Sequence, residues 1–152
     1  MDLQIVDYLP EYAIYFDRFN RDWLEEHFEV EAIDKWVLEH PEEAIIAKGG
    51  KIFFARYNEK IIGTVAVMYL ENGIYELTKM AVDKAYRGIG AGKLLCQFAI
   101  DAARRIGADK LILYSQTGLK AAIGIYFKLG FMVIPIDKKY KRADIKMLLE
   151  FS

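Results

Sequence analysis

The sequence contains little cysteine, little histidine and no excess of charge of either sign. Its single cysteine, Cys96, rules out an internal disulfide framework. The two histidines, His27 and His40, lie far apart and lack metal-ligand spacing, so we predict no metal site. With 21 Lys and Arg against 22 Asp and Glu, the net charge is −1, which gives no support for nonspecific binding to nucleic acid.

The sequence also lacks a long apolar run. No window approaches the length of a membrane span, and residues 1–12 show no basic-then-apolar signal. We therefore expect a cytoplasmic protein with no membrane or nucleic-acid partner. Internal repeats, low-complexity tracts and linkers rich in Pro, Gly or Ser are absent too, so no domain boundary is predicted. With 152 residues, of which 54% are apolar, we expect a single domain over residues 1–152.

Residues 75–95 carry the most informative pattern. Residues 75–82 are an apolar, partly β-branched run typical of a buried strand, and residues 83–86 form a short polar turn. Residues 87–92, Arg-Gly-Ile-Gly-Ala-Gly, then open a helix. The first turn of a helix has unpaired N–H groups and partial positive charge, and glycine lets a phosphate approach that backbone closely. The arrangement predicts an anion site for a phosphate or pyrophosphate.

Spacing separates the glycine loops that bind phosphates. A P-loop fails twice, because Arg87 stands where a glycine is needed and Leu94 follows Lys93 in place of Ser or Thr. A dinucleotide fingerprint that starts at Gly88 fails because its third glycine falls on Lys93. The pattern Arg/Gln-x-x-Gly-x-Gly/Ala fits residues 87–92 at every defined position. A tight strand-to-helix turn without a ligand is the alternative that this spacing alone leaves open.

This third pattern resembles the acetyl-CoA loop of the GNAT family of N-acetyltransferases. A second motif farther along, A-x-x-x-Y-x-K-x-G-F, resembles the other signature of the family and is formed here by Ala122, Tyr126, Lys128, Gly130 and Phe131. The two motifs stand in the usual order and at the usual separation. The resemblance covers roughly residues 52–131 and implies an acyltransferase.

The remaining pattern predicts a mixed α/β sheet, which is also the GNAT-like fold that the resemblance implies. An antiparallel meander, joined by turns at Asn58-Glu59 and Asn72-Gly73, is followed by a parallel β-α-β crossover and a closing C-terminal antiparallel pair. Strands are predicted at residues 3–8, 51–57, 60–70, 75–82, 110–115, 131–136 and 144–151. Helices are predicted at residues 10–26, 34–38, 41–46, 90–106 and 119–129.

The resemblance implies acetyl-CoA as the co-substrate. Its pantetheine arm is expected along the strand before the glycine loop, on backbone groups of Met80, Ala81 and Val82. We expect the Met80 N–H to donate to the thioester oxygen, because a fixed amide dipole stabilises charge that develops there. The phosphates are expected at Arg87, Gly88, Ile89, Gly90, Ala91, Gly92 and Lys93. Plain strand core explains the Met80 and Val82 side chains equally well, and solvated helix surface explains Lys93 and Lys128.

Two residues match catalytic positions of the family. Glu76 lies four residues before Met80, the offset of the general base in the histone-acetylating branch, which the chain resembles only at family level. An amine with a pKa near ~10 must lose a proton, which a carboxylate accepts directly or through one water. Tyr126 matches the general acid that protonates the CoA thiolate. A paired structural carboxylate and a packed tyrosine are the respective alternatives.

Two further positions bear on the mechanism. Cys96 lies on the apolar face of the predicted helix with no Cys-His pattern around it, so we interpret it as a core residue. Direct attack by the amine within a ternary complex is then favoured over a covalent enzyme intermediate. The chain departs from the family at Leu119, where many members carry an asparagine that contacts pantetheine. Gln116 or Thr117 is the candidate replacement for that contact.

The sequence gives less information about the acceptor amine than about the acyl donor. In the family, the N-terminal helices and the last hairpin shape the acceptor site. Acidic residues in that segment favour a cationic amine or form a solvated surface: Glu25, Glu26, Glu29, Glu31 and Asp34. We expect a small-molecule amine, because no second recognition domain is visible. A protein amine, another acyl-CoA donor and a non-catalytic CoA-sensing module remain alternatives, and exposed C-terminal strands allow a homodimer.

Overall fold

The computed structural model describes residues 2–151. The strands are β1 (Leu3–Asp7), β2 (Lys51–Tyr57), β3 (Lys60–Glu71), β4 (Ile74–Val82), β5 (Lys110–Ser115), β6 (Met132–Ile134) and β7 (Ile145–Glu150). They form one sheet in the order β1-β2-β3-β4-β5-β7-β6. Only the β4–β5 pair is parallel among these residues, as the predicted crossover requires. The mixed α/β fold class and the closing C-terminal pair are confirmed, with β7 inserted between β5 and β6.

The helices lie close to their predicted positions. They are α1 (Ala13–His27), α2 (Ala32–Glu39), α3 (Pro41–Ala44), α4 (Ala91–Ile106) and α5 (Lys120–Lys128). The helix predicted from residue 10 begins as a separate 3-10 turn, Pro10–Tyr12, and α1 starts only at Ala13. Gly107 and Gly130 follow the last turns of α4 and α5 with positive φ, the usual way in which glycine ends a helix.

Each face of the sheet carries its own core. Leu95, Cys96 and Ala99 of α4 are fully buried on one face, and Phe16 of α1 is fully buried on the other. Burying a side chain as large as Leu95 or Phe16 contributes about 1.5–3 kcal/mol to the stability of the fold. The cysteine is therefore a core residue, as its position among apolar neighbours predicted.

The two predicted hairpin turns are confirmed by their backbone angles. Asn58 and Glu59 have φ values of 47° and 73°, and Asn72 and Gly73 have φ values of 46° and 77°. Positive φ at both central residues gives a two-residue turn whose twist matches that of the flanking strands. These turns set the register in which β2 pairs with β3 and β3 with β4.

A bulge in β4 was not predicted. The pairing of β3 with β4 joins Ala66 to Thr78 and Thr64 to Ala81, which leaves Lys79 and Met80 opposite a single residue of β3. Lys79 has a φ of 55°, a left-handed conformation that is uncommon for a residue with a side chain. Such an insertion twists a strand and re-aims its side chains, here next to a candidate site.

The bulge reverses which face of the sheet each residue of β4 occupies. Before it, Tyr75 and Leu77 pack into the core under α4. After it, Met80 and Val82 pack against that core while Ala81 joins the core under α1. If β4 alternated strictly with a period of two residues, Met80 and Val82 would face α1 and Ala81 would face α4.

β4 and β5 separate where the bulge lies. Their parallel pairing covers only Ile74 to Glu76 on β4 and Lys110 to Ile112 on β5. The last part of β4 therefore has no strand partner on its β5 side among residues 2–151. Toward their carboxyl ends the two strands are separated by a gap.

The described residues contain neither a membrane-spanning helix nor a cluster of metal ligands. No helix within residues 2–151 is long and apolar enough to cross a membrane. The same residues contain no group of three or more His, Cys, Asp or Glu side chains arranged to hold a metal ion. The absence of a metal from the reaction stays a prediction.

Candidate active site

A cavity of about 620 Å³ fills the gap between β4 and β5. Residues from β4, the end of β5, the start of α4, α5, the last half of α1 and the loop before β7 line it. Most of the residues that the sequence singled out meet in this cavity: Glu76, Met80, Ala81, Val82, Arg87, Gly88, Gly90, Ala91, Gly92, Lys93, Leu119 and Tyr126. Ile89 and Lys128 do not line the cavity.

The glycine loop forms one end of the cavity. Gly88 and Gly90 have φ values of 90° and 92°, so the turn itself requires glycine at both positions. Gly92 differs, because it lies in regular helix and a Cβ built there would meet no atom within 4 Å. The fold thus does not need glycine at position 92, and the open space leaves the first-turn N–H groups of α4 accessible to an anion.

Ile89 and Arg87 take different places in this loop. The Ile89 side chain packs against the core under α4, so only its main chain faces the turn. The Arg87 guanidinium makes a two-point contact with the carboxylate of Glu26 at 3.2 Å and donates to the Val82 carbonyl at 3.3 Å. Hydrogen bonds from Arg87 hold the pKa of Glu26 below its usual range. This ion pair links the glycine loop to the end of α1.

Tyr126 lies on α5 with its ring against Phe131, at 5.9 Å between centroids. The residue is 8% exposed and lines the cavity. No hydrogen bond within residues 2–151 involves its hydroxyl. Burial, and secondarily the nearby Cys96, raises the pKa of Tyr126 well above its usual value. The phenol is therefore protonated at neutral pH and has its proton available to a ligand.

Cys96 lies behind this tyrosine, with its thiol 3.2 Å from the Met80 sulfur. Burial raises the pKa of the Cys96 thiol to about 12. Since thiolate is the reactive form of cysteine, this side chain is poorly suited to act as a nucleophile.

We expect the Cys96 thiol to resist labelling in the folded protein. Ellman's reagent at about pH 8, where a free cysteine with a pKa near about 8.5 reacts readily, should label it only after denaturant is added. Titration of the native and unfolded protein against free cysteine checks this. Rapid labelling of the native protein would show that the thiol is accessible and would contradict its assignment to the core.

Glu76 is almost completely buried, at 1% exposure, and lines the cavity. One carboxylate oxygen, Oε1, forms an ion pair with Lys139. The other, Oε2, accepts a hydrogen bond of 2.9 Å from the Tyr140 hydroxyl. A carboxylate inside an apolar strand is therefore paired at both oxygens, and the cavity reaches it beside Tyr140.

Tyr140 connects the charged groups at this end of the cavity. Burial, reinforced by the negative charge of Glu76, raises the pKa of Tyr140 far above its usual value, so the phenol remains a donor. The ring of Tyr140 faces three cations, with distances to its centroid of 4.7 Å from Arg142, 5.4 Å from Lys79 and 5.4 Å from Lys139. Cations over an aromatic face are attracted by its quadrupole.

A second group of charges surrounds Asp34 of α2, which is fully buried. Lys79 donates to its Oδ1 at 2.8 Å, and Arg142 donates to Oδ2 at 2.6 Å and to Oδ1 at 3.0 Å. Arg142 also reaches Glu31 at 2.8 Å. Burial alone raises the pKa of Asp34, but Arg142 and Lys79 outweigh it and hold the pKa below its usual value. Burial lowers the pKa of Lys79, and Asp34 opposes that shift.

These contacts change the interpretation of the acidic N-terminal segment. Glu31 and Asp34 are engaged by Arg142 and Lys79, and Glu26 is engaged by Arg87. The remaining two acidic residues of the set, Glu25 and Glu29, are exposed and do not line the cavity. The acidic residues of this segment therefore do not form a free anionic mouth for a cationic acceptor.

The sequence did not identify Tyr140, Lys139, Arg142 or Lys79 as site residues. The first three lie in the loop between β6 and β7, within the basic run of residues 138–142, Lys-Lys-Tyr-Lys-Arg. This run was the available signal, because a basic run opposite a predicted acidic segment suggests pairing between them. No local pattern marks Lys79, since its direction depends on the bulge.

The position that departs from the family motif lies on the cavity wall. Leu119 lines the cavity, and the Gln116 side chain, which also lines it, folds back to accept from the Gly118 N–H at 2.8 Å. Thr117 is engaged with Asp144 through its N–H and its hydroxyl. Of the two candidate replacements, Gln116 alone lies at the cavity.

The chain matches known acetyltransferases in sequence. The model of the Acetyltransferase (GNAT) family matches residues 11–131. Mycothiol acetyltransferase of Corynebacterium glutamicum is 32% identical over 95 residues, which amount to 62% of this chain and 32% of that protein. The chain thus spans about a third of the length of that curated relative.

Solved structures share the fold. An acetyltransferase of the GNAT family from Staphylococcus aureus Mu50 superposes with a TM-score of 0.87 at 23% identity, over 98% of this chain and 99% of that one. A putative acetyltransferase from Salmonella typhimurium, solved with its cofactor acetyl-CoA, gives a TM-score of 0.79 at 20% identity, over 99% and 94% of the two chains. With the family model covering residues 11–131, the resemblance of the two motifs is confirmed: the chain belongs to the GNAT family of acetyltransferases.

Proposed function

We propose that this chain is an acyl-CoA-dependent N-acetyltransferase that moves an acetyl group from acetyl-CoA to the amine of a small molecule. One observation carries the proposal. A single cavity joins a helix N-terminus with open space at Gly92, the part of β4 that has no β5 partner within residues 2–151, a protonated tyrosine and a buried carboxylate. These are the groups that binding a CoA thioester and transferring its acyl group to an amine require.

The residues present fit acetyl-CoA. The phosphates fit the N–H groups of the loop and of the first turn of α4, where Gly92 leaves room for them. Lys93 lines the same end of the cavity and adds positive charge. The pantetheine arm fits the gap between β4 and β5, where Met80, Ala81 and Val82 have no β5 partner in residues 2–151. The acyl-CoA supplies an activated thioester carbonyl to the residues around it.

Different groups around the gap act in different steps of the reaction. Met80 lies in the bulge, outside the paired register with β3, and has no β5 partner within residues 2–151; its N–H donates to the thioester oxygen as negative charge develops there. Glu76 accepts the proton that the amine loses, through the Tyr140 hydroxyl that donates to it. As the nitrogen–carbon bond forms and the carbon–sulfur bond breaks, Tyr126 gives its proton to the sulfur.

The burial of Tyr126 suits that last step. Its pKa is raised, so it holds its proton until an acceptor of comparable basicity appears. The same surroundings raise the pKa of the Cys96 thiol to about 12. A thiolate released in this part of the cavity is desolvated in the same way and becomes basic enough to take the proton. Direct attack by the amine in a ternary complex needs no nucleophile from Cys96.

Glu26→Gln should tighten the binding of acetyl-CoA. Arg87 must leave its ion pair with Glu26 before its guanidinium can contact a phosphate. Removing the charge of Glu26 therefore lowers the free-energy cost of binding acetyl-CoA. Because the pair is exposed, the dissociation constant should fall only about two- to fivefold. Calorimetric titration measures the change, and Glu25→Gln, an exposed neighbour outside the cavity, is the control. Weaker binding by Glu26→Gln alone would assign the carboxylate a direct role at the ligand.

Glu76→Gln should slow turnover most where the amine is protonated. At about pH 7 we expect kcat/KM to fall at least about tenfold, and at about pH 10 the deficit should shrink because the free amine no longer needs a base. The pH profile of both proteins, with acetyl-CoA affinity as the test of folding, checks this. An equal deficit at every pH would reduce Glu76 to a structural partner of Lys139 and Tyr140.

Product analysis tests the proposed function. The protein is incubated with acetyl-CoA and a panel of small amines, and the release of CoA thiol is matched to acetylated amine by mass spectrometry. Stoichiometric thiol and product support the proposal. Saturable binding of acetyl-CoA without any product would favour the CoA-sensing module instead. Faster transfer from propionyl- or succinyl-CoA would assign another acyl donor.

We also propose that two copies of the chain form a homodimer through the C-terminal edge of the sheet. β6 is an edge strand, and its Met132 and Val133 are each 54% exposed. A second copy pairing there would cover both the strand edge and these side chains. A light-scattering mass equal to one chain would exclude this dimer.

A further inference from the structure

Two cations at the acceptor end of the cavity have unused hydrogen-bond donors. The two terminal nitrogens of Arg142, Nη1 and Nη2, both donate to the carboxylate of Asp34. Nη1 donates its second hydrogen to Glu31. Its side edge, formed by Nε–H and the remaining Nη2–H, makes no hydrogen bond within residues 2–151. Arg142 lines the cavity with its side chain 18% exposed. A side edge of this kind matches the two oxygens of a carboxylate.

Lys79 adds to this edge. Its ammonium has three donors, and among residues 2–151 one of them is used, in the bond to Asp34 Oδ1. Arg142 Nη2 binds the same oxygen, so the two cations are neighbours. Lys79 lines the cavity although its side chain is only 4% exposed, and its backbone is held in the left-handed region. A strained, nearly buried cation with unused donors beside a cavity points to a ligand group that completes it.

The carboxylates that balance these cations lie behind them. Asp34 is fully buried, and neither Asp34 nor Glu31 lines the cavity. A ligand therefore meets the donors of Lys79 and Arg142 first. Trp23 and Leu24 of α1, and Phe28 directly after α1, form an apolar and aromatic wall of the same cavity.

The distance between the two recognition points limits the acceptor. Tyr140 joins them, because its hydroxyl donates to Glu76 and its ring lies 4.7 Å from the Arg142 guanidinium. The amine, which must reach Glu76 or Tyr140, and the anionic group, which must reach Arg142 and Lys79, are thus separated by little more than one aromatic ring. Amino acids, the α-amino acids among them, carry an amine and a carboxylate within such a distance.

We propose that the acceptor is an amino acid with a free carboxylate, which Arg142 and Lys79 bind while its α-amine faces Glu76 and Tyr140. This inference rests on the proposed N-acetyltransferase function and names its substrate class. The apolar wall favours an aliphatic or aromatic side chain. It replaces the cationic acceptor that the acidic segment suggested, because the carboxylates of that segment at this end of the cavity are paired.

Matched acceptors test the substrate class. Each set keeps the side chain and changes the carboxylate: L-phenylalanine, L-phenylalaninamide and phenethylamine, and likewise L-leucine, L-leucinamide and isopentylamine. Rates are compared per concentration of unprotonated amine, because the amine pKa differs among the members of a set. We expect kcat/KM for the amino acid to exceed that for its amide and its decarboxylated amine at least about tenfold, as one charge-assisted contact contributes. Equal rates, a preference for the uncharged partners, or no product from any amino acid overturns the proposal.

Variants locate the effect. Lys79→Met and Arg142→Lys should raise KM for the amino acids about tenfold or more and leave KM for the amides within about twofold. Lys141→Met removes a neighbouring exposed lysine outside the cavity and is the matched control. A purely structural role of the Asp34 pairs would change both acceptor types alike, and that result contradicts carboxylate binding.

Titration with acetyl-CoA on the same proteins separates this inference from the proposed function. If acetyl-CoA binds and amides or simple amines are acetylated in preference, the substrate class is wrong and the transferase stands. If acetyl-CoA does not bind to the folded wild-type protein, the proposed function fails and the substrate class fails with it.

Discussion

Replacing Tyr126 with Phe is expected to lower kcat by about two to four orders of magnitude, the usual range for a general acid or base. The change removes only a hydroxyl that makes no hydrogen bond within residues 2–151, so the fold has no reason to weaken. The affinity for acetyl-CoA should stay within about twofold, because the ring and its contact with Phe131 remain. Single-turnover kinetics and calorimetric titration measure the two quantities.

Tyr75→Phe is the matched control for this loss. Tyr75 is also buried, at 9% exposure, but it does not line the cavity and its ring packs on Tyr69. Its kcat should equal that of the wild type. Full activity in Tyr126→Phe would show that another donor, or water, protonates the departing thiolate, and Tyr126 would then be a packed cavity wall.

Gly92→Val is expected to weaken acetyl-CoA binding about ten- to a hundredfold. A Cβ at this position meets no protein atom within 4 Å, so a side chain there starts in open space, and we expect it to occupy the volume left for the phosphates. The estimate corresponds to losing one or two charge-assisted bonds to backbone N–H groups. Helix propensity changes little from Gly to Val, so the melting temperature should hold.

Gly124→Val provides the comparison. Gly124 is also helical with nothing within 4 Å of its Cβ, and it does not line the cavity. Both variants should have similar melting temperatures in thermal unfolding. In calorimetric titration, only Gly92→Val should bind acetyl-CoA more weakly. Unchanged affinity in Gly92→Val would place the phosphates elsewhere and leave the glycine loop as a turn without a ligand.

Much of the fold follows from local patterns. Asn72-Gly73 sets its hairpin because both residues accept positive φ, and Gly107 ends α4 for the same reason. The crossover from β4 through α4 to β5 follows from a strand, a glycine loop and an amphipathic helix in that order. These elements could be predicted because neighbouring residues determine them.

The charged part of the site could not be predicted in this way. Tyr140 meets Glu76 across 64 residues of sequence, and Arg142 meets Asp34 across 108. Such pairs depend on the fold that brings α2, β4 and the loop before β7 together. The bulge at Lys79 is equally hidden, since one extra residue in β4 leaves the apolar pattern intact while it reverses the faces after it.

Calorimetric titration of the wild-type protein with acetyl-CoA, alongside ATP and NAD, tests the central claim most directly. The glycine loop and the gap between β4 and β5 predict one saturable site for acetyl-CoA and none for the two nucleotides, whose loop spacings this sequence does not have. A folded protein that binds neither acetyl-CoA nor CoA, or that binds ATP or NAD equally well, would contradict the assignment of this cavity to an acyl-CoA.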